Sequence, residues 1–181
     1  MAACSRRVHG CQRVARTGDR DAVEALEDFH RSFLPRFIDS LRAFHNGDPE
    51  PHIALWSTAD PVTLFAIRGM RVVGSETLRA TFRRVAAWFS DVAEYEWELL
   101  ASGVSGDSAY TVCIERFAAS VKGSTPERFE VRSTHLFRLE EGRWLALHRH
   151  ADRVENSLGT NAFAEPAPGG RTTQQLAPRN T

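Results

Sequence analysis

Three histidines and one glutamate in the second half of the chain have side chains suited to proton transfer or metal binding. His148 and His150 lie in "GRWLALHRHAD", His135 lies in "RFEVRSTHLFRLE", and Glu115 lies in "SAYTVCIERFAAS". Apolar residues recur at alternate positions in these stretches, which is typical of β-strands with one buried face. An imidazole titrates near pH ~6.5 and a neighbouring carboxylate shifts that value, so these residues can form an acid–base pair. They are also ligand types that zinc and iron accept.

The turn between the last two strands predicts which of these side chains share a face. If Glu141–Gly142 is the centre of a tight hairpin, counting outwards along both strands places His135 opposite His148. Directly opposed residues lie on one face, with Cβ atoms about 5 Å apart. His135, His148 and His150 then gather at one end of a largely apolar face. A slip of one residue would move His148 and His150 to the other face.

The histidine pair also matches a metal-binding signature, because "GRWLALHRHADRVE" fits the cupin pattern G-x5-H-x-H-x4-E. A cupin site needs further strands and a second histidine motif downstream, and the sequence after this stretch contains no histidine. We therefore expect neither a metal nor another cofactor at this position.

Two interpretations of the histidines stay open. In the first, His148 or His135 acts as base or acid, with Glu115 as its partner. In the second, the histidines hydrogen-bond to one another, to Ser133 or to Tyr110, and stabilise the sheet. In both cases they form a polar end to an apolar pocket. In the first case the pocket accepts a small organic molecule, and in the second it binds a small apolar ligand without chemistry or holds nothing.

The earlier part of the chain has the periodicity of helices. A four-residue repeat predicts a first helix with one apolar stripe, formed by Phe29, Phe33, Phe37 and Leu41. Pro35 interrupts this helix and predicts a kink or a break near Arg31. A short second helix capped by Asp48 and a third helix capped by Ser75 follow, with the strand "VTLFAI" and a hairpin-like bend between them.

Four long alternating stretches after the third helix predict a meander of strands. Helices first and strands last indicate an α+β fold, with three helices packed on one strongly curved antiparallel sheet. The face opposite the histidines carries Leu136, Leu145 and Leu147, and no helix is left to cover them. Such a patch predicts a homodimer through the sheet.

Composition places this domain among ordinary globular proteins. The chain has 181 residues, 42% hydrophobic residues and a formal net charge of zero, which gives no argument for a nucleic-acid or membrane partner. Three cysteines are too few for a disulfide framework and favour a reducing, cytoplasmic location. We predict a disordered basic leader over residues 1–18, a domain over 19–155 and a disordered tail over 156–181.

The order of elements, together with "HNGDPEP", "LWSTADPVTLF", "GSETLRATF" and "EEGRWLALHRHAD", resembles the SnoaL-like branch of the nuclear-transport-factor-two-like superfamily. The resemblance runs from about Ala43 to Asp152. It implies a cone, in which a curved sheet wraps over three helices around a pocket, and usually a dimer. Members include ketosteroid isomerase and polyketide cyclases, so the resemblance implies a cofactor-free isomerase, cyclase or hydrolase, or else a non-catalytic binding or dimerisation module.

The sequence departs from two members at positions that carry chemistry. The position of the catalytic aspartate of ketosteroid isomerase falls on Ala66. The arginines with which the hub domain of calcium/calmodulin-dependent kinase holds carboxylates fall on Glu115, His135 and Ala151, which argues against carboxylate capture of that kind. The resemblance does imply that Glu115 and His135 point into the pocket. We predict that the pocket is also lined by Trp56, Phe65, Phe82, Tyr110, Trp144 and His150.

Overall fold

The computed structural model describes residues 20–154, and the predicted leader and tail lie outside these residues. The helices are α1 (Arg20–Asp28), α2 (Leu34–Phe44), α3 (Glu50–Ile53) and α4 (Ser75–Ala86). The strands are β1 (Thr63–Ala66), β2 (Met70–Val73), β3 (Phe89–Ser105), β4 (Ser108–Val121), β5 (Glu127–Glu140) and β6 (Arg143–Arg153). Within the described residues, no helix is both long and apolar enough to cross a membrane.

The first helix is interrupted where the proline predicts it. A π-helical turn, Phe29–Phe33, joins α1 to α2, and the backbone N–H of Leu34 bonds to the carbonyl of Phe29. Pro35 follows at the start of α2, where its missing N–H leaves an upstream carbonyl without its helical partner. The apolar stripe nevertheless stays continuous, because all four of its members are buried: Phe29, Phe33, Phe37 and Leu41.

The six strands form one sheet in the order β2-β1-β6-β5-β4-β3. The long strands β3 to β6 form the predicted antiparallel meander, and β1 and β2 form the predicted hairpin. Strand β1 joins the meander by pairing parallel to β6. The fold is therefore α+β as predicted, with four helices rather than three, because α1 and α2 are separate helices.

Irregular pairing bends the sheet. Three register shifts interrupt the pairing of β3 with β4, and one interrupts the pairing of β5 with β6. Each extra residue in one strand bends that strand and increases its local twist. The bent sheet wraps around the helices, and the core lies between its inner face and α2, α3 and α4.

The bulge in β6 overturns the predicted register of the histidines. The hairpin at Glu141–Gly142 is as predicted, and the pairing follows it in step as far as Phe137 and Ala146. Beyond that point Leu147 is an extra residue, so that His148 pairs with Leu136 and His135 pairs with Arg149 rather than with His148. The inward and outward positions of β6 are exchanged after the bulge.

The predicted dimer patch is also changed. Leu136 is 44% exposed on the outer face, but Leu145 is only 9% exposed and Leu147 packs partly against the core. At this point the segment before β1 runs beside β6, since Ala146 bonds through its backbone to both Leu55 and Ser57. The three leucines therefore do not form one exposed patch.

Candidate functional site

An apolar cavity of about 450 Å³ lies inside the cone. Ligand pockets in proteins have volumes on the order of 300 to 1,000 Å³. The helices and the sheet both contribute apolar walls, which include Leu41, Phe44, Leu64, Phe82, Phe89 and Val131. The cavity can therefore bury an apolar molecule of modest size.

The polar groups of the cavity lie at two different depths. His45, His52 and Arg149 lie at its buried end, where the side chain of Arg149 is 12% exposed. Lys122 and Glu127 lie at its exposed end, on the turn between β4 and β5 and on the start of β5. The two ends can therefore contact different parts of one molecule.

Arg149 is held at the buried end by Glu115. The Glu115 carboxylate is fully buried, and its Oε1 accepts hydrogen bonds from Nη2 of Arg149 at 2.9 Å and from Oγ of Ser133 at 2.6 Å. The hydroxyl of Tyr95 lies 3.5 Å from Oε2. Glu115 itself does not line the cavity, because Arg149 and its neighbours enclose it.

Glu115 stays ionised despite its burial. Burial alone would raise the pKa of this carboxyl, but the charge of Arg149, the neighbouring His135 and His45, and the hydrogen bond from Ser133 together lower it to about 2. Arg149 supplies the positive charge at neutral pH. The two groups thus form a buried ion pair with no net charge.

The histidines around this pair are neutral at pH 7. Burial, aided by the charge of Arg149, lowers the pKa of His135 to about 3, and burial lowers the pKa of His45 to about 4. His135 Nε2 lies 4.0 Å from Glu115 Oε1, and its Nδ1 lies 3.2 Å from the hydroxyl of Thr111. A neutral imidazole of this kind acts as a hydrogen-bonding group, not as a cation.

His52 and His45 differ in what their ring nitrogens contact. Nε2 of His52 accepts a hydrogen bond from the indole N–H of Trp56 at 3.0 Å. Its Nδ1 therefore carries the proton and donates to the hydroxyl of Ser40, which in turn donates to the carbonyl of Phe37. Nδ1 of His45 has no hydrogen-bond partner within the described residues. The carbonyl of Leu41 acts on the ring as a nearby acceptor and raises the pKa of His45, although the geometry falls short of a hydrogen bond. His52 is therefore a saturated structural group, whereas His45 keeps bonding capacity at the cavity.

Other buried atoms around the ion pair also lack partners. Nε of Arg149, Nε2 of His135 and Nε1 of Trp97 have no hydrogen-bond partner in the part of the chain that the structure describes. Such atoms cost about 1–3 kcal/mol each while they are unsatisfied. Of these residues, Arg149 lines the cavity.

The predicted site residues separate into two groups. Glu115 and His135 lie on the inner face and are fully buried, and Phe82 lines the cavity. His148 and His150 lie on the outer face, where the ring of Phe65 packs between them at centroid distances of 5.4 and 5.6 Å. The prediction that these two histidines face the pocket with His135 is wrong, because the bulge at Leu147 reverses their orientation.

Four predicted lining aromatics do not line the cavity. Phe65 and Tyr110 are 38% and 42% exposed, respectively. Tyr110 lies opposite Leu136 and packs its ring over Gly103, where a Cβ atom would clash with the ring. Trp56 and Trp144 are buried in the core, where Trp144 contacts Phe29.

The sequence patterns do not identify the three polar side chains at the buried end, Arg149, His45 and His52. One signal for Arg149 was available. The resemblance implies that Glu115 points inward, and a buried carboxylate needs a cation, which an uncharged histidine does not supply. The sequence gives no comparable signal for His45, which follows the end of α2.

The same change of register removes the possible metal site. His148 and His150 are on the opposite face of the sheet from Glu115 and His135. Within residues 20–154, no three histidine, cysteine, aspartate or glutamate side chains are close enough together to hold a metal ion.

The ion pair predicts an asymmetric effect of mutation. Replacement of Arg149 by methionine should lower the free energy of unfolding by about 3 kcal/mol, because it leaves a buried charge without compensation. The double variant Arg149→Met/Glu115→Gln should recover most of this loss in urea unfolding. Arg132→Met, which removes an exposed ion pair with Asp152, should have little effect. A double variant as unstable as the single one would contradict this account.

The buried neutral histidines predict acid lability. Unfolded histidines bind protons below pH ~6.5, whereas folded His45 and His135 do so only near 4 and 3, so the unfolded state holds more protons and stability falls as the pH drops. Glu115 acts in the same direction below its ordinary value of 4.5, since its folded pKa is about 2.

Urea unfolding between pH 7.5 and 4 measures this dependence. The free energy of unfolding should decrease steadily over this range, and His135→Gln should flatten the decrease. The same change at the exposed His150 is the matched control and should leave the slope unaltered. A stability that stays constant from pH 7 to pH 5 would show that the histidines are not buried in neutral form.

Comparisons with known proteins agree with this architecture. The sequence matches the family described as "SnoaL-like domain" over residues 34–147. None of the curated proteins matches the chain significantly.

Several solved structures share the fold. A proposed dehydratase of the nuclear-transport-factor-two-like family from Streptomyces avermitilis has a TM-score of 0.59 at 20% identity, over 72% of this chain and 99% of its own. A ketosteroid isomerase-like protein from Erwinia carotovora atroseptica has a TM-score of 0.55 at 17% identity, over 69% of this chain and 98% of its own. A nuclear-transport-factor-two-like superfamily protein from Salmonella enterica Typhimurium has a TM-score of 0.60 at 14% identity, over 77% of this chain and 99% of its own. At these identities the likeness concerns the fold alone. The chain therefore belongs to the SnoaL-like domain family and has the fold of the nuclear-transport-factor-two-like superfamily.

Proposed function

We propose that this protein binds a small organic molecule with an apolar body and an uncharged oxygen acceptor, such as a ketone. The observation that carries the proposal is the pairing of an apolar cavity with two polar side chains at its buried end that each have an unpartnered nitrogen, Arg149 and His45. Apolar walls with a few convergent polar groups are typical of small-molecule sites.

The chemistry of Arg149 favours an acceptor. A guanidinium has only N–H donors, and one of these donors, Nε–H, has no partner within the described residues. A ligand oxygen at the buried end can accept a hydrogen bond from Arg149 and so satisfy a donor that would otherwise cost stability.

The charge balance favours an uncharged acceptor over a carboxylate at this end. Glu115 already compensates the charge of Arg149, and its carboxylate is 2.9 Å from Nη2. A second carboxylate beside Arg149 would place two anions around one cation in a buried, apolar environment. His45 is neutral and can donate or accept according to its tautomer.

Binding of nonan-2-one, followed by isothermal titration calorimetry, tests this function. His45→Phe keeps the ring that packs 4.3 Å from Phe117, between centroids, and removes only the nitrogens. We expect about tenfold weaker binding, which corresponds to one lost hydrogen bond. His148→Phe makes the same change on the outer face and should leave the affinity unchanged.

The second arm of this experiment removes the guanidinium. Arg149→Met/Glu115→Gln should weaken the binding of nonan-2-one without leaving an unpaired buried charge. If the wild-type protein does not bind this ketone, or if all variants bind it equally well, the proposed function is wrong.

A second candidate function is proton transfer without a cofactor, in line with the isomerase-like members of the family. The observation that favours it is that His45 lines the same cavity as Arg149 and that its Nδ1 has no hydrogen-bond partner among the described residues. Arg149 would stabilise an enolate oxygen while His45 accepts the proton from the adjacent carbon. In this mechanism Glu115 positions Arg149, and His148 takes no part.

Deuterium exchange distinguishes catalysis from binding alone. In D₂O the protons next to the carbonyl of nonan-2-one should exchange faster with the wild-type protein, as followed by proton NMR. His45→Phe should reduce this acceleration by about 100-fold, whereas His148→Phe should retain it. If the wild-type protein gives no acceleration, this candidate fails and the binding function stands.

The homodimer stays a prediction, together with the cytoplasmic location. Of the leucines predicted to form the dimer surface, Leu136 is exposed. It lies directly opposite Tyr110, so these two side chains would form the centre of such an interface.

A further inference from the structure

The exposed end of the cavity has more positive than negative charge. Three cations line the cavity, namely Lys122, Arg149 and Arg153, and Glu127 is a carboxylate in the same lining. The charge of Arg149 is compensated by Glu115, which lies outside the cavity lining. Arg153 is compensated by Glu127 at 3.3 Å and also packs over the ring of Phe129.

Lys122 remains without a carboxylate. No acidic oxygen lies within ion-pair distance of its ammonium among the described residues. The ammonium lies 4.5 Å from the centre of the Trp88 ring instead, and Trp88 also lines the cavity. A cation over an indole face keeps its charge available to an anion on its other side.

The position of Lys122 is fixed by its backbone. Its N–H bonds to the carbonyl of Trp88 at 2.6 Å, which ties the β4–β5 turn to the link between α4 and β3. Lys122 and Gly123 have φ values of 53° and 75°, a geometry that favours asparagine, aspartate or glycine. The turn itself therefore gives no reason for a lysine at this position.

We infer that the ligand carries an anionic group, which Lys122 binds at the mouth of the cavity while the uncharged acceptor lies at the buried end. The ligand class is then an oxo acid, with an apolar chain or ring between its carbonyl and its carboxylate. This inference rests on the proposed function and extends it. It assigns the carboxylate to the exposed cation and not to Arg149.

Two probes that differ by a single group test the inference. 8-Oxononanoate carries a carboxylate where nonan-2-one carries its terminal methyl group. The wild-type protein should bind the oxo acid about fivefold more tightly, the size expected of a partly exposed ion pair. This preference should weaken as sodium chloride is added, because the pair lies at the mouth of the cavity.

Variants of the turn locate the carboxylate. Lys122→Asn suits the positive φ and should lower the affinity for 8-oxononanoate to that for nonan-2-one, without changing the affinity for nonan-2-one. Lys122→Arg retains the charge and should retain the preference. Arg128→Gln removes an exposed cation on the same hairpin, paired with Glu94, and should change neither affinity.

The outcomes separate this inference from the proposed function. If both probes bind equally to the wild-type protein, the inference is overturned and the proposed function stands. The same holds if the preference survives in Lys122→Asn but is lost in Arg149→Met/Glu115→Gln, because the carboxylate then lies at the buried end. If neither probe binds, both are overturned.

Discussion

The buried carboxylate of Glu115 must remain charged without contact to water, and the arrangement of the inner sheet follows from this requirement. Arg149 supplies the opposite charge from β6, and Ser133 supplies a hydrogen bond from β5. Two buried histidines nearby stay neutral, so they add no second positive charge. The ion pair of Glu115 and Arg149 therefore has no net charge. It presents the N–H donors of Arg149 to the cavity.

This arrangement depends on one extra residue in the last strand. Without the bulge at Leu147, His148 would face Glu115 and Arg149 would face solvent. A neutral imidazole would then leave the carboxylate uncompensated. The bulge thus connects local strand irregularity to the electrostatics of the interior, and it also bends the sheet around the helices.

The cavity combines this neutral buried end with a cationic mouth, and apolar walls separate the two. Such a gradient would orient the proposed oxo acid, because its uncharged oxygen and its anionic group would be stabilised at different depths. His52 shows that a histidine in these walls need not be functional. Its two nitrogens are both used in a chain of hydrogen bonds that joins α2 to α3. His45 has no such chain, and this difference singles it out.

The sequence by itself determined the α+β class, the break before Pro35 and the tight turn at Glu141–Gly142. Each follows from a local rule, since helical and strand periodicity, proline geometry and turn chemistry act over a few residues. The tertiary structure alone decided that Arg149 and not His148 enters the cone, and that His45 reaches the cavity. A bulge has no fixed sequence signature and reverses every later side chain of its strand, while the place of a residue beyond a helix end depends on how whole elements pack.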